Sequence, residues 1–492
     1  MTYSDRKARL PGTLYIQGSW VHARSDLKFT VRDPATLDVF GECSDGDAIR
    51  AREASVAAAS AFPAWSETPA EVRASFILQL AQLLERDAEF FRDLLVSESG
   101  KPRREAAGEV ASSIAFLRWN AQQARHRLGR TLSSPQTDIQ MWTVKRPLGV
   151  VAAITPWNYP LNTLCRKIAP SLATGCTLVV KPAPETPFSA VELLRRAEEV
   201  GFPPGVLNLV TTSRAAEAVQ VWLDDPHVRK ITFTGSTEVG KSLFRGSAKT
   251  MKRISLELGG HAPVLVFRDG DIEAAADAIV ASRFRHAGQT CVCAQRVYVD
   301  EGVADELASS LTKRIKELRV SNGNDPNTDV GPLINEAAFA RVTSHLVDAL
   351  SKGARLRAGG SRVDLADPNR GFFFEPTLLE GAKPEMRVMQ EETFGPLLTL
   401  SSFSTEEEAI SEANSTSYGL VAYAFTNNLS RAHRLIEELN FGTVGINTTQ
   451  IVWPQLPFGG FKDSGIGKEN GLEGIDEYLN IKSAVLKISD AS

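Results

Sequence analysis

Between Val150 and Glu257 short apolar runs alternate with amphipathic stretches, and this rhythm constrains the fold more than any other feature of the chain. VVAAIT, TLVVK, VLNLVT, KITFTG and RISLEL are short runs rich in β-branched residues, with helical patterns such as FSAVELLRRAEEV between them. Strands of that kind are buried on both faces, and their spacing leaves room for helical crossovers. The expected fold class is therefore α/β, with a parallel sheet covered on both faces by helices. The rhythm resumes after Glu257 with APVLVF, the helix DIEAAADAIVASRFRHAG, the strand RVYVD and the helix EGVADELASSLTKRIKEL.

Ahead of this core, residues 13 to 45 read as short strands and turns. From Asp47 to about Ser99 apolar residues recur at three- and four-residue spacing, as in helices, and Gly100 and Pro102 end the pattern. A further amphipathic helix is expected from about Arg104 to Arg127. TDIQMWTVKRPLG reads as extended, a projecting hairpin or an oligomer contact, and EGIDEYLNIKSAVLKIS as a strand able to pair outside its own domain.

With 492 residues, the chain exceeds what one core supports, so two or three domains are expected. A formal net charge of −4 gives no reason to expect nucleic acid or an anionic membrane surface as partner. No run approaches the roughly 18 apolar residues of a membrane span. MTYSDRKARLPGTLY carries charges without a following apolar stretch, so no secretory signal is expected. Five cysteines are an odd number for a disulfide scaffold and suit a reducing compartment, so a cytoplasmic enzyme is the default expectation. The histidines form no HExxH pair and Cys291 with Cys293 lacks two further ligands, so no metal is expected.

Several short motifs carry chemistry. FRHAGQTCVC, residues 284 to 293, sets Cys291 behind Gly288, where the backbone can approach closely and a main-chain N–H can stabilise the charge made by thiolate attack. The alternative for a single cysteine is a small buried apolar residue. LELGGHAP places Glu257 between two leucines and before two glycines, where a partly desolvated carboxylate can act as a general base; a lone glutamate is otherwise a surface residue. PWNYP brackets Asn158 with prolines, which aims its amide as a neutral donor to an oxyanion, or makes it a turn residue. LVVKPAPETP puts Lys181 at a strand end, where parallel sheets take ligands. EETFGP joins Glu392 to Phe394, a carboxylate and a flat ring suited to a ribose and a base. Residues 235 to 242 match the phosphate-loop pattern GxxxxGK[ST] literally, which raises a nucleotide hydrolase as a second function class. Glu238 inside that loop would repel a triphosphate, and no metal-binding strand-end Asp follows; the same strand–glycine–helix geometry also serves a dinucleotide pyrophosphate.

In order, PWNYP, KPAPETP, FTGS, ELGG, GQTC, EETFGP and PFGGFKDSGIG resemble the aldehyde dehydrogenase superfamily over nearly the whole chain. The resemblance implies a Rossmann-like cofactor domain at 1–128 and 148–257 and a catalytic α/β domain at 258–468. It also implies a small β oligomerisation element at 129–147 and 469–492, joining homodimers or homotetramers. It implies that an aldehyde is oxidised by NAD or NADP through Cys291, with Asn158 on the oxyanion and Glu257 activating water. Lys181 is expected on the adenosine ribose and among the catalytic residues, Gly235 and Ser236 near the pyrophosphate, Glu392 on the nicotinamide ribose and Phe394 near the nicotinamide. Further cofactor contacts are implied at Thr155, Pro156, Trp157, Pro184, Glu185, Val239, Leu258 and Gly259, besides Glu257. NAD-preferring relatives often carry a glutamate where this chain has Pro184, with Glu185 one residue later, so the choice between NAD and NADP stays open.

Arg166 and Arg285 match the carboxylate-binding arginines of the succinate-semialdehyde dehydrogenases, and an arginine pair at the pocket can clamp a distal carboxylate; otherwise each faces solvent or pairs with a structural acid. The serine that completes the clamp in that branch is replaced by Val452 and Trp453. A tryptophan there resembles 2-oxoglutarate-semialdehyde dehydrogenases and adds an apolar wall, which keeps that semialdehyde and other aliphatic or aromatic aldehydes open as substrates. By the same resemblance Cys293 is a candidate redox switch through a disulfide to Cys291.

Overall fold

A computed structural model describes residues 13–24, 27–125 and 129–488. The expectation of no secretory signal falls largely on residues 1–12, outside the described residues, as do the last residues expected in the 104–127 helix and in the tail strand.

The first sheet has eight strands, in the spatial order Ser19–Val21, Leu14–Ile16, Leu207–Leu209, Thr177–Lys181, Val150–Ile154, Val228–Thr234, Arg253–Glu257 and Gly465–Ile466. Its five central members run parallel, and the flanking ones are antiparallel. The near-continuous apolar runs arise because both faces are buried: Val151 and Ala153 point into one core, Val150, Ala152 and Ile154 into the other.

Helices α1 (Ala48–Glu67), α2 (Ala70–Arg86), α3 (Ala88–Ser99) and α4 (Arg103–Gln123) precede the five parallel strands of this sheet in the chain. Gly100 ends α3 with φ of 75°, its N–H bonded to Val96 O, and the chain turns inward at Lys101 before Pro102 opens α4. Crossover helices α5 (Pro160–Thr174), α6 (Phe188–Val200), α7 (Ala215–Asp224) and α8 (Thr237–Ser247) complete the layers. The sequence reading assigns no element to the stretch that forms α7; Trp222 of this helix is fully buried against the sheet.

The second sheet has seven strands, in the order Arg355–Ala358, Thr377–Glu380, Leu397–Phe403, Arg296–Asp300, Pro263–Val266, Val421–Phe425 and Thr443–Ile446. All but the first are parallel. Helices α9 (Ile272–Phe284), α10 (Ala304–Glu317) and α11 (Glu336–Ser351) lie in this region, which has its own core.

The tail strand Leu479–Lys487 pairs antiparallel with Ile139–Pro147 along its whole length, and Thr131–Leu132 adds a short third strand. Gly465–Ile466 sits in the expected catalytic span yet completes the edge of the first sheet, so the chain crosses between the two units there.

Candidate active site

A cavity of about 530 Å³ lies between the two sheets. One wall is made by the carboxyl ends of three adjacent parallel strands. Pro156, Trp157 and Asn158 follow Val150–Ile154; Thr234, Gly235 and Ser236 end Val228–Thr234 and open α8; Glu257, Leu258 and Gly259 leave Arg253–Glu257. Chain order reverses between the first two of these strands, and α/β sheets take ligands in the crevice at such a switch. The facing wall comes from loops entering the second sheet, with Cys291 ahead of Arg296–Asp300 and Glu392 and Phe394 ahead of Leu397–Phe403.

Cys291 is partly exposed to the cavity, whereas the other four cysteines are buried. The chain leading to it is bent by His286, Ala287 and Gly288, with φ of 51°, 55° and 73°. Left-handed backbone costs a non-glycine residue roughly 1–2 kcal/mol, so neighbouring groups must hold the bend. Gln289 is fully buried. Its amide nitrogen donates to His286 O at 3.0 Å and Pro332 O at 3.2 Å, and its Oε1 accepts from Ile334 N at 2.9 Å. The Gln289 carbonyl accepts from Asn158 Nδ2 at 2.9 Å. One amide hydrogen of Asn158 is committed by that bond, and the other remains for an oxygen in the cavity that Asn158 lines. Burial pushes the Cys291 thiol up to about 12, with the charges of Glu392 and Glu257 adding to the effect and Arg166 opposing it. The resting group is the thiol.

Glu257 is 4% exposed, and among the described residues neither of its carboxylate oxygens has a hydrogen-bond partner. Burial and the neighbouring charge of Glu469 hold it well above the usual carboxylate range. Glu469 is held below that range by Lys167 and Arg166 despite its burial. The two carboxyl groups are thus driven in opposite directions, Glu257 up and Glu469 down, a pattern found at acid–base sites.

The two arginines differ. Arg166 lines the cavity, but its Nη2 lies 2.9 Å from Glu469 Oε2 and its Nε donates to Asn470 Oδ1 at 3.2 Å. Lys167 pairs with the same glutamate. Arg166 thus lines the cavity with its guanidinium engaged by Glu469 and Asn470. Arg285 lines the cavity, and among the described residues no hydrogen bond or ion pair engages its guanidinium. Trp453 lies off the cavity lining: it is 53% exposed and its Nε1 donates to Gln450 O at 3.3 Å, while its neighbour Val452 lines the cavity.

At the other end the residues fit a dinucleotide. Gly259 and Gly260 let two loops close on the strand end: a β-carbon on Gly259 would lie 2.7 Å from Glu392 Oε2, and one on Gly260 would strike the Cys291 carbonyl. Glu392 accepts from Gly260 N at 3.0 Å and is pushed up to about 7 by burial, against that bond and Arg341. Phe394 holds φ of 52° and meets Trp157 edge-on at 5.5 Å. Ser236 caps α8 through Val239 N at 3.4 Å, which leaves a helix N-terminus beside Gly235 for a phosphate. Lys241 pairs with Asp463 at 2.7 Å on the surface, so the literal phosphate-loop match lacks the inward lysine a nucleotide hydrolase needs.

Some expected site residues lie off the cavity lining. Lys181 is buried at its strand end, donates to Pro182 O at 2.7 Å, and is pushed down to about 8 by burial with Glu185 opposing. Thr155, Pro184, Glu185 and Val239 also lie outside the lining. Cys293 is buried, its sulfur 2.9 Å from Arg283 Nη1 and 3.6 Å from Gly288 O. The cavity also gathers residues that the sequence reading passed over, among them Glu105, Glu109, Phe458 and Glu469. The available signal was the i, i+4 pair of glutamates in KPRREAAGEV, set among small and apolar residues.

Comparison with known proteins agrees with this geometry. The model described as "Aldehyde dehydrogenase family" matches residues 20–484. A probable NADP+ succinate-semialdehyde dehydrogenase of Sinorhizobium fredii is 44% identical, over 92% of each chain. A 3-sulfolactaldehyde dehydrogenase of Pseudomonas putida is 43% identical over 96% of each. The crystal structure of Staphylococcus aureus betaine aldehyde dehydrogenase with NAD+ superposes with a TM-score of 0.96 at 35% identity, covering 100% of this chain and 98% of that one.

Proposed function

The chain belongs to the aldehyde dehydrogenase family, and from that premise we propose that it oxidises a semialdehyde with a distal anionic group, succinate semialdehyde first, to the carboxylic acid. It is an NAD(P)-dependent oxidoreductase. The observation that carries the substrate class is Arg285, a guanidinium without a hydrogen-bond or ion-pair partner among the described residues, in the cavity that also holds Cys291. The succinate-semialdehyde and sulfolactaldehyde enzymes are named for aldehydes with a carboxylate or a sulfonate, and either suits a single guanidinium. 2-Oxoglutarate semialdehyde, which also ends in a carboxylate, is the second candidate.

The chemistry follows from the residues. Cys291 attacks the carbonyl carbon as its thiolate; a C–S bond forms and the carbonyl electron pair moves to oxygen, where the Asn158 amide and the Cys291 N–H stabilise it. When bound, the oxidised nicotinamide would supply the hydride acceptor. Collapse of the thiohemiacetal expels hydride from carbon and leaves a thioester on Cys291. Glu257 then takes a proton from water, the oxygen adds to the thioester, and the C–S bond breaks to return the thiolate and release the acid. Glu392, Phe394 and the N-terminus of α8 would hold the cofactor.

Arg285→Ala is expected to raise KM for succinate semialdehyde by about 10- to 100-fold, the worth of one charge-assisted hydrogen bond. Turnover of uncharged butanal should change little. Equal losses for both aldehydes would remove the carboxylate-anchor assignment. Arg166→Ala should act instead through stability, lowering the thermal midpoint, because it strips a partner from buried Glu469.

No helix among the described residues is long and apolar enough to cross a membrane; a cytoplasmic location is the reading that fits. Assembly into homodimers or homotetramers is supported by the tail strand, which exposes Ile481 by 64% and Val485 by 67%. Light scattering is expected to give a multiple of the 53.5 kDa chain, reduced by Ile481→Asp with Val485→Asp. A monomeric wild type would refute it.

A further inference from the structure

Two carboxylates that the reaction does not consume stand one turn apart on α4. Glu105 and Glu109 both line the cavity, and i, i+4 spacing puts them on one face of the helix. Glu109 pairs with fully buried Lys101, and its Oε1 accepts from Leu161 N at 3.0 Å and Asn162 N at 3.1 Å, in the first turn of α5. Lys101 Nζ in turn donates to the Asn158 carbonyl at 2.8 Å. This pair therefore anchors the segment that carries the oxyanion amide.

Glu105 reaches the opposite wall. Its Oε2 accepts from His286 N at 2.8 Å, at the first of the three left-handed residues that bend the chain toward Cys291. The His286 ring lies 6.1 Å from both Trp157 and Tyr159, the residues flanking Asn158, so the bend and the oxyanion segment pack together. One helix face thus holds both halves of the site, and the nucleophile's half hangs on Glu105.

We propose that Glu105 is a positioning residue: by accepting the main-chain N–H of His286 it keeps the bent approach to Cys291 in register with Asn158. This rests on the reading of Cys291 as the nucleophile. What matters is an acceptor oxygen at that reach, and the charge is secondary. Glu105→Gln keeps the oxygen and drops the charge; Glu105→Met and Glu105→Ala drop both, and Met keeps the volume.

The test uses the full-length enzyme with succinate semialdehyde, each variant first checked by thermal unfolding. A displacement of about 1 Å at a reacting group costs on the order of 100-fold, so the acceptorless variants are expected to lose roughly 10- to 100-fold in kcat, with the cofactor KM within about twofold of wild type. The Gln variant should recover kcat to within about threefold. Glu105 also faces Arg285, so a change in aldehyde KM shared by all the variants reports the lost charge. Iodoacetamide alkylation of Cys291, without cofactor or aldehyde, follows the loop independently of turnover. It should shift in the acceptorless variants and stay near wild type with Gln. A folded Met or Ala variant with kcat within about twofold of wild type, or a Gln variant as impaired as they are, overturns the proposal. If the wild type oxidises no aldehyde, the functional reading fails instead, and the alkylation comparison still decides on Glu105.

Discussion

Cys291→Ala is expected to lower aldehyde oxidation by on the order of 10⁴-fold or more, since no other group can form the covalent intermediate. Cofactor binding, measured by fluorescence titration, should be unchanged, because the contacts expected of Glu392, Phe394 and α8 do not involve the sulfur. The other four cysteines cannot substitute: all are buried, and burial pushes the Cys43 and Cys165 thiols further up than that of Cys291. The raised Cys291 thiol adds a second expected result. With burial and the charges of Glu392 and Glu257 pushing it up to about 12, the cofactor-free protein holds only a trace of thiolate at neutral pH. Its alkylation rate should then climb about tenfold per pH unit through the range to pH 9, since the thiolate fraction does so below the pKa. A plateau by pH 8 would show that the resting thiol is already activated. Full turnover by the alanine variant would remove the thioester route altogether.

Much of the fold was legible because both sheets are buried on two faces, which writes apolar runs into the sequence at strand spacing. The motif residues were legible for a different reason. Short segments such as GQTC, PWNYP and ELGG mark loops at strand ends, and these loops bring Cys291, Asn158 and Glu257 to one cavity. The arginine pair was not separable in the same way. What distinguishes Arg166 from Arg285 is its partners Glu469 and Asn470, the latter 304 residues along the chain, and no local pattern encodes that pairing. Of the adjacent Val452 and Trp453, only Val452 lines the cavity, and which of two neighbours faces inward depends on how the loop turns. Glu105 and Glu109 sit on a helix face that local sequence does not separate from a solvated one, and only the approach of the Cys291 loop and of α5 makes them acceptors, Glu109 buried and Glu105 half-buried.

Glu257→Gln is expected to stop the enzyme at the thioester. The amide keeps the volume between Leu256 and Leu258 but cannot take a proton from water, and the loss of a general base costs roughly 10²- to 10⁴-fold. Because attack and hydride departure do not use Glu257, rapid mixing should show a burst of reduced nicotinamide approaching one equivalent per chain, followed by a slow steady state. The pH profile gives the same assignment an independent check. A general base works only when unprotonated, so deacylation should rise with pH as Glu257 loses its proton. Burial and Glu469 hold the group well above the usual carboxylate range, so the rise falls at higher pH than for an exposed glutamate, and it should vanish in the glutamine variant. Were the glutamine variant to show no burst, Glu257 would be needed before the thioester, at the activation of Cys291, whose thiol its charge already pushes up. A variant that turned over at the wild-type rate, with the pH limb intact, would place the base elsewhere. The unpaired oxygens of Glu257 in a closed apolar setting would then have no chemical reason to persist, since an uncompensated buried carboxyl is costly.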